Sequence, residues 1–343
     1  MSEADGQIIV EKLRSFGVEC SLSRVVEAPQ LVTYELAPGN SRNSRMIDFT
    51  RLGRDRDLAM ALEAESISIS APIPGRSVVG VTAPRRDRQI VDQCVLPRTL
   101  RPLTVPIGVG IDNQPVFLAL DACPHLLVAG ETGSGKSSAL RTILAGLLSE
   151  LGPEDLRLCL VDVKRVEFSP YEGLPHLLFP VADDAAKAIM QLQALLLNLN
   201  ERYELLQRLG ARDIREANVK LTEMGHPTLP YFVCVVDELS ELMYLSRKEV
   251  ESVLVRIAQK GRAAGVHLIV STQYPVASIL TGLLRVNLPS KLCFRVPDKT
   301  ASRVVIDRNG AEKLLGNGDA LLSFAGQPMV RFQAAYTDEA GTS

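Results

Sequence analysis

HLLVAGETGSGKSSALRTILAGLLSE, residues His125 to Glu150, decides the fold. A buried strand, a glycine-rich turn and a helix follow one another without a gap. His125 to Ala129 is an apolar run, Gly130 to Ser137 fits G-x-x-x-x-G-K-[ST], and apolar residues then recur at 139, 140, 143, 144, 147 and 148. Glycine lets backbone N–H groups curl around phosphate oxygens, and the helix N-terminus adds the positive end of its dipole. The pattern predicts an ATP cradle of Gly130, Glu131, Thr132, Gly133, Ser134, Gly135, Lys136, Ser137 and Ser138. Lys136 is expected to reach the β- and γ-phosphates, and the Ser137 hydroxyl to ligate Mg²⁺.

Outward from the cradle, apolar runs alternate with helical patterns. LRLCLVDV from Leu156, YFVCVVDE from Tyr231, VHLIVST from Val266 and KLCFRV from Lys291 are apolar throughout, as strands buried on both faces are. They predict a mainly parallel sheet flanked by helices. The connection from Tyr171 to Gly210 is long and largely helical, with Gly210 placed as a C-cap.

A P-loop alone does not separate kinases, GTPases and motor ATPases. In YFVCVVDE, Asp237 stands at the carboxyl end of the strand, where a Walker-B carboxylate orders the Mg²⁺ shell. Glu238 follows directly, either as general base for the water that attacks the γ-phosphate or as the acidic start of the next helix. Adjacent Asp-Glu favours water as nucleophile. Gln273, just past VHLIVST, is a γ-phosphate sensor if its strand lies between the P-loop and Walker-B strands, and otherwise a turn residue.

The helix before VHLIVST starts with a capping box, Ser246-x-x-Glu249, and carries Val250, Val253, Leu254, Ile257 and Ala258 at helical spacing. Arg262 falls beside that apolar stripe. It either offsets the negative end of the helix dipole, a task Lys260 also suits, or serves chemistry elsewhere.

The chain has 343 residues, 46% of them hydrophobic and 23% charged, with 38 basic against 40 acidic side chains. No global field draws it to nucleic acid or membrane, so a polyanion site must be local. Its apolar runs are far shorter than a membrane helix requires, and the acidic N-terminus has no signal-peptide core. A cytoplasmic, peripheral or cut-down protein is expected. The six cysteines, Cys20, Cys94, Cys123, Cys159, Cys234 and Cys293, lack CxxC pairing and read as reduced thiols.

Proline and arginine in CVLPRTLRPLTVP, Cys94 to Pro106, separate two textures. The boundary divides a small α/β domain, 1–101, from a motor domain, 102–343. The first has a helix around Gln7 to Phe16, a strand from Leu31, a helix around Asp55 to Glu65, and the alternating ESISISAP. Arg42, Arg45, Arg51, Arg54 and Arg56 read as a solvated surface interleaved with acids, or as phosphate contacts. From Tyr274 to Gly310, six basic residues (Arg285, Lys291, Arg295, Lys299, Arg303, Arg308) face Asp298 and Asp307. That segment either contacts phosphates or pairs internally, and for Arg295, inside a strand, pairing is preferred.

PHLLVAGETGSGKS (Pro124), YEGLPHLL (Tyr171), NERYELLQRLGARDI (Asn200), VVDELSELM (Val235), RIAQKGRAAGVHLIVSTQYP (Arg256), SILTGLLRVNLPSKLCFRV (Ser278) and SRVVIDRNGAEKLLGNGDALL (Ser302) resemble the FtsK/SpoIIIE family of hexameric DNA-translocating ATPases. The resemblance covers Pro102 to about Ala335 and, less sharply, Gln7 to Leu100. It implies an α/β fold, a RecA-like P-loop ATPase with a small α/β domain before it. It also implies a hexameric ring around double-stranded DNA, driven by ATP with Mg²⁺. Position by position, it makes Arg262 a finger reaching the ATP of the adjacent subunit, worth roughly 10³ to 10⁵ in rate. Tyr274 and Arg285 fall in the first DNA-contacting pore loop, Lys299 and Arg303 in the second. The family's membrane region and winged-helix γ domain have no counterpart in the sequence. Tyr274 stands where the family commonly has Arg, Val163 where it has Pro, and Leu280 where it often has Ile. A HerA-type helicase or packaging motor shares this chemistry. A nucleotide-binding ring scaffold would not need Lys136, Asp237 and Glu238 intact.

Overall fold

A computed structural model describes residues 3–39, 55–64, 67–70, 73, 77–99, 101–324 and 327–337. Of the arginines from 42 to 56, Arg42, Arg45, Arg51 and Arg54 lie outside the described residues. The chain divides into two compact units. Met1–Leu96, Gly108–Val116 and Arg331–Tyr336 form the first, and Pro97–Ile107, Phe117–Val330 and Thr337–Ser343 the second.

The first unit contains α1 (Glu3–Ser15), β1 (Cys20–Glu27), β2 (Leu31–Pro38), α2 (Asp55–Ala61), β3 (Ser68–Ser70) and β4 (Val79–Pro84). The strands form an antiparallel sheet in the order β1-β2-β4-β3. Ile9, Leu13, Tyr34, Leu36, Leu58 and Val81 share its core. Sequence periodicity predicts α1, β2 and α2 but misses β1. The register shift between Leu22 and Arg24 breaks the alternation that marks a half-buried strand. Further along the chain come β5 (Thr104–Gly110) and β6 (Pro115–Ala119).

The second unit holds β7 (His125–Ala129), α3 (Lys136–Glu150), β8 (Leu156–Val161), α4 (Ala185–Leu209), α5 (Ile214–Glu223), β9 (Tyr231–Val236), α6 (Leu239–Ala264), β10 (Val266–Thr272), α7 (Gly282–Asn287), β11 (Ser290–Cys293), α8 (Lys299–Ile306) and β12 (Asp319–Ser323). The last strand is β13 (Val330–Ala334). Its residues Phe332 to Ala334 pair antiparallel with Gly108 to Gly110 of β5. The sheet of the second unit runs β12-β11-β7-β10-β9-β8. Adjacent strands from β11 to β8 are parallel, and β12 is antiparallel to β11. The five apolar runs of the sequence are these five parallel strands. Every residue of β7 and β10 is buried, which is why neither alternates.

Helix ends follow their local chemistry. Asp184 caps α4 by accepting from the Lys187 N–H at 2.8 Å, and Gly210 ends it at φ 61°. α6 breaks at Ser246 (φ −149°, ψ 62°), where the sequence predicts a helix start, and the Ser246 hydroxyl donates to Glu249 at 3.2 Å. No described helix is long and apolar enough to cross a membrane. All six cysteines are free thiols, five buried and Cys94 exposed.

Two histidines are buried at the amino ends of adjacent strands. His125 Nδ1 accepts from the Leu268 N–H at 3.2 Å, and His267 stacks obliquely beside Tyr231. Burial lowers His125 from 6.5 to about 3 and His267 to about 4. Unfolding therefore takes up protons below pH 6.5, and stability that is full above that value falls as the pH drops toward the folded values. At pH 5 each histidine is expected to cost about 2 kcal/mol. Urea midpoints at pH 7.5 and pH 5 measure this, and His267→Gln should reduce the difference between them. Equal differences in the two proteins would exclude His267 as a source of the acid sensitivity.

Candidate nucleotide site

The carboxyl ends of β7, β10 and β9 lie side by side, so the segments that follow them converge. β7 runs into the glycine turn. Gly133 (φ 77°) and Gly135 (φ 105°) adopt backbone that other residues avoid, and a Cβ on Gly135 would lie 2.6 Å from the Gly318 nitrogen. At Gly130 a Cβ would fall 2.5 Å from the Ser134 hydroxyl. Among the described residues, no side chain caps the first turn of α3 and the buried Ser134 hydroxyl has no partner. Uncapped N–H groups behind a glycine turn suit phosphate oxygens.

Lys136 is 3% exposed and holds three partners at once. Its ammonium donates to Asp237 Oδ1 at 2.9 Å, to the Ser271 hydroxyl at 3.0 Å and to the Asp237 carbonyl at 3.2 Å. The Ser271 hydroxyl also donates to that carbonyl. Burial raises the Asp237 carboxyl above its usual range, against the opposing pull of Lys136. Ser137 and Ser138 follow on the first turn of α3, half-buried.

Glu238 caps α6, accepting from the Ser240 N–H at 3.2 Å and hydroxyl at 2.7 Å. It also accepts from the Thr272 hydroxyl at 2.8 Å and the Gln273 N–H at 2.9 Å. β10 lies between β7 and β9, meeting the condition the sequence sets for Gln273 as a sensor. The Gln273 amide oxygen accepts from the Thr132 hydroxyl at 3.0 Å. Glu131 turns away from the cradle: its carboxylate pairs with Arg295, and its N–H donates to the Arg295 carbonyl at 2.9 Å.

Arg262 lies elsewhere. It is exposed near the amino ends of the strands, beside Tyr231 and His267, in a cleft of about 410 Å³ also lined by Arg212, Arg215 and Lys260. A strand length of roughly 20 Å separates that edge from its own P-loop. Its side chain makes no hydrogen bond or ion pair to a described residue. The helix end it would serve on the capping alternative is closed by other groups. Buried Arg202 of α4 donates to the Ala264 carbonyl at 2.9 Å and the Pro230 carbonyl at 2.8 Å, with its guanidinium 3.6 Å above the Phe232 ring. The Gly265 N–H donates to the Arg262 carbonyl at 3.3 Å.

The residues expected to meet DNA are divided. Tyr274 is 57% exposed. Lys299 and Arg303 are exposed on α8, Arg303 donating to Asn309 at 2.8 Å. Arg285 turns inward, donating to the Val304 carbonyl at 3.1 Å and lying 3.6 Å from Asp307. Sequence reasoning misses Ser271, Thr272 and Ser240, small polar residues whose partners come from other elements. It also misses Arg202, whose signal was present: with Leu195, Leu199 and Leu206 it follows a helical stripe of buried positions.

A model of the FtsK/SpoIIIE family matches residues 96–277, and one of the FtsK alpha domain matches residues 2–85. The chain belongs to the FtsK/SpoIIIE family. A DNA translocase FtsK of Helicobacter pylori is 40% identical over 97% of this chain and 39% of its own length. That of Halalkalibacterium halodurans is 38% identical over 96% and 43%. The chain thus spans about two fifths of the curated relatives it matches. Among solved structures it is similar to the pCW3 conjugation coupling protein TcpA with ATPγS (TM-score 0.69, 25% identity, 98% of this chain and 95% of that one). It is also similar to the type VII secretion ATPase EccC of Thermomonospora curvata (TM-score 0.63, 32% identity, 72% of this chain and 30% of that one). The FtsK/SpoIIIE chain therefore has a P-loop ATPase fold and a nucleotide site.

The Lys136–Asp237 pair is buried on both sides, with side chains 3% and 5% exposed. Lys136→Met should destabilise the protein by about 3–5 kcal/mol by leaving a buried carboxylate alone, and adding Asp237→Asn should recover most of that. Urea unfolding of the three proteins measures the coupling; additive losses would show that the pair is not coupled.

Proposed function

We propose that the chain is the ATP-driven motor of a double-stranded DNA translocase, active as a hexameric ring on the cytoplasmic side. The boundary near residue 101 would separate its two domains. The observation that carries this reading is Arg262: it stands at the opposite sheet edge from its own P-loop, unpaired among the described residues, while Arg202 and Gly265 close its helix end. A finger so placed is completed by another copy of the chain.

The cradle from Gly130 to Ser138 binds and orients the ATP phosphates, with Lys136 exchanging Asp237 and Ser271 for phosphate oxygens. Mg²⁺ commonly keeps several waters and takes one or two protein oxygens besides phosphate, so the Ser137 hydroxyl and Asp237 carboxylate suit it. When bound, the ion neutralises charge between the β- and γ-phosphates. Glu238 accepts the proton of the attacking water at its carboxylate, Gln273 contacts the γ-phosphate beside Thr132, and Arg262 of the adjacent copy offsets the developing charge. Tyr274, Lys299 and Arg303 face the duplex. Arg285 joins them only when it leaves Asp307.

Duplex DNA should raise ATP turnover, and translocation along it should displace a bound third strand. Glu238→Gln and Arg262→Ala should each retain ATP binding, while turnover falls by about 10² to 10⁴ in the first and by about 10³ or more in the second. Mixing Arg262→Ala with Lys136→Ala protein should restore part of the turnover through mixed interfaces. Turnover indifferent to DNA, with no triplex displacement, would sink the translocase reading. Failure of the mixture, with full activity in Arg262→Ala alone, would return that residue to a surface role.

A further inference from the structure

The cradle carries a side chain of the wrong sign for its ligand. Glu131 is the second residue of the glycine turn, and its carbonyl accepts from the Ser134 N–H at 3.1 Å. Consecutive Cα atoms are about 3.8 Å apart, so the Glu131 Cα lies within roughly 8 Å of the Gly133 Cα, at the middle of the turn. That is inside the Debye length of about 10 Å at about 0.1 M salt, so an unpaired carboxylate here would repel a polyphosphate with little help from screening.

Arg295, just past β11, cancels that charge. Its Nε donates to Glu131 Oε1 at 2.5 Å, and among the described residues the carboxylate pairs with no other cation. A guanidinium stays protonated at any working pH, so the cancellation does not lapse. The place of Arg295 is itself built. Its Nη1 donates to the Leu315 carbonyl at 3.3 Å, and a Cβ on Gly316 (φ 80°) would press to 3.2 Å from its guanidinium carbon.

The pair could instead be a staple that holds the turn in shape. Main-chain bonds already do that. The Glu131 N–H donates to the Arg295 carbonyl at 2.9 Å, and the Gly318 N–H donates to the Ser134 carbonyl at 2.8 Å. The side chains of Arg295 and Glu131 are 42% and 29% exposed, and ion pairs so open to water add little to stability. Their effect on an arriving polyanion is a separate matter, because it depends on whether the carboxylate is neutralised and not on the strength of the pair.

We infer that Arg295 is an affinity-determining residue of the nucleotide site, masking the Glu131 carboxylate so that the cradle admits a polyphosphate. The inference rests on the reading of Gly130 to Ser138 as the ATP cradle. Mask and staple predict opposite signs. Without Arg295, the carboxylate opposes the incoming charge. Without the Glu131 charge, Arg295 remains as an added cation beside the turn, and binding holds or tightens. A staple is lost equally by removing either partner.

Titration calorimetry with ATPγS and Mg²⁺, at about 50 mM and about 300 mM salt, tests this. At low salt Arg295→Gln should raise the Kd about threefold to tenfold, the scale of one uncompensated charge at this distance, and the higher salt should reduce that loss. Glu131→Gln should bind at wild-type affinity or tighter. The double variant Glu131→Gln/Arg295→Gln should return to within about twofold of wild type, and Arg295→Lys, which keeps the charge, should stay there. Wild-type affinity in Arg295→Gln would overturn the mask, and so would a Glu131→Gln protein weakened as much as Arg295→Gln. If Arg295→Gln does not fold by circular dichroism, Glu131→Gln carries the test alone: weaker binding than wild type overturns the mask. Lys136→Ala separates the mask from the reading beneath it, because wild-type affinity in that variant would remove the cradle and the mask together.

Discussion

The site depends on the position of one strand. With β10 between β7 and β9, the residues that end it, Ser271, Thr272 and Gln273, stand between the P-loop and the Walker-B pair and bond to both. Parallel register fixes this: Thr272 is opposite Ala129 and Val270 opposite Val236, so all three strands end at nearly the same level. Ser271, Thr272 and Gln273 each find a partner on the segment that follows a neighbouring strand, which is how a cluster of buried charge survives at the end of an apolar sheet.

That arrangement explains which parts were legible in the sequence. The five parallel strands and the cradle were readable because continuous burial and phosphate geometry each demand a distinctive local pattern. β1 was lost to a bulge at Leu22 to Arg24 that removes its alternation. Asp237, Glu238 and Gln273 could be chosen by their place at strand ends. Ser271, Thr272 and Ser240 could not, because their importance comes from partners 34 or 135 residues away, or from a carboxylate oriented by those partners. Small hydroxyl residues at strand ends are common, and nothing local distinguishes these.

A residue on another helix bears on the capping alternative for Arg262. A guanidinium at a helix C-terminus usually needs no further explanation. Here Arg202, buried and stacked on Phe232, donates to the Ala264 carbonyl, while Tyr203 donates to the Lys260 carbonyl at 2.8 Å. α4 therefore supplies donors to the end of α6, and Arg262 adds little to that task. The cost of burying Arg202 is met by its carbonyl partners and the ring beneath it.

Charge between Tyr274 and Gly310 follows the same logic, with consequences for the proposed grip on DNA. Arg285 and Lys291 both turn to Asp307, which ends α8 in a left-handed conformation at φ 58°, and Arg295 turns to Glu131. The sequence's preference for internal pairing at Arg295 agrees with that contact. Of six basic residues, Lys299, Arg303 and Arg308 are left exposed, at or beside α8. The loop before them presents Tyr274 and Val276, and α7 presents Leu283 and Val286, none of them charged. Counterion release scales with the number of phosphates neutralised, so this segment of each copy would contribute only a shallow salt dependence. A weak electrostatic grip suits a motor that must release phosphates as readily as it takes them, and it leaves hydrogen bonding and apolar contact at the Tyr274 loop to transmit force.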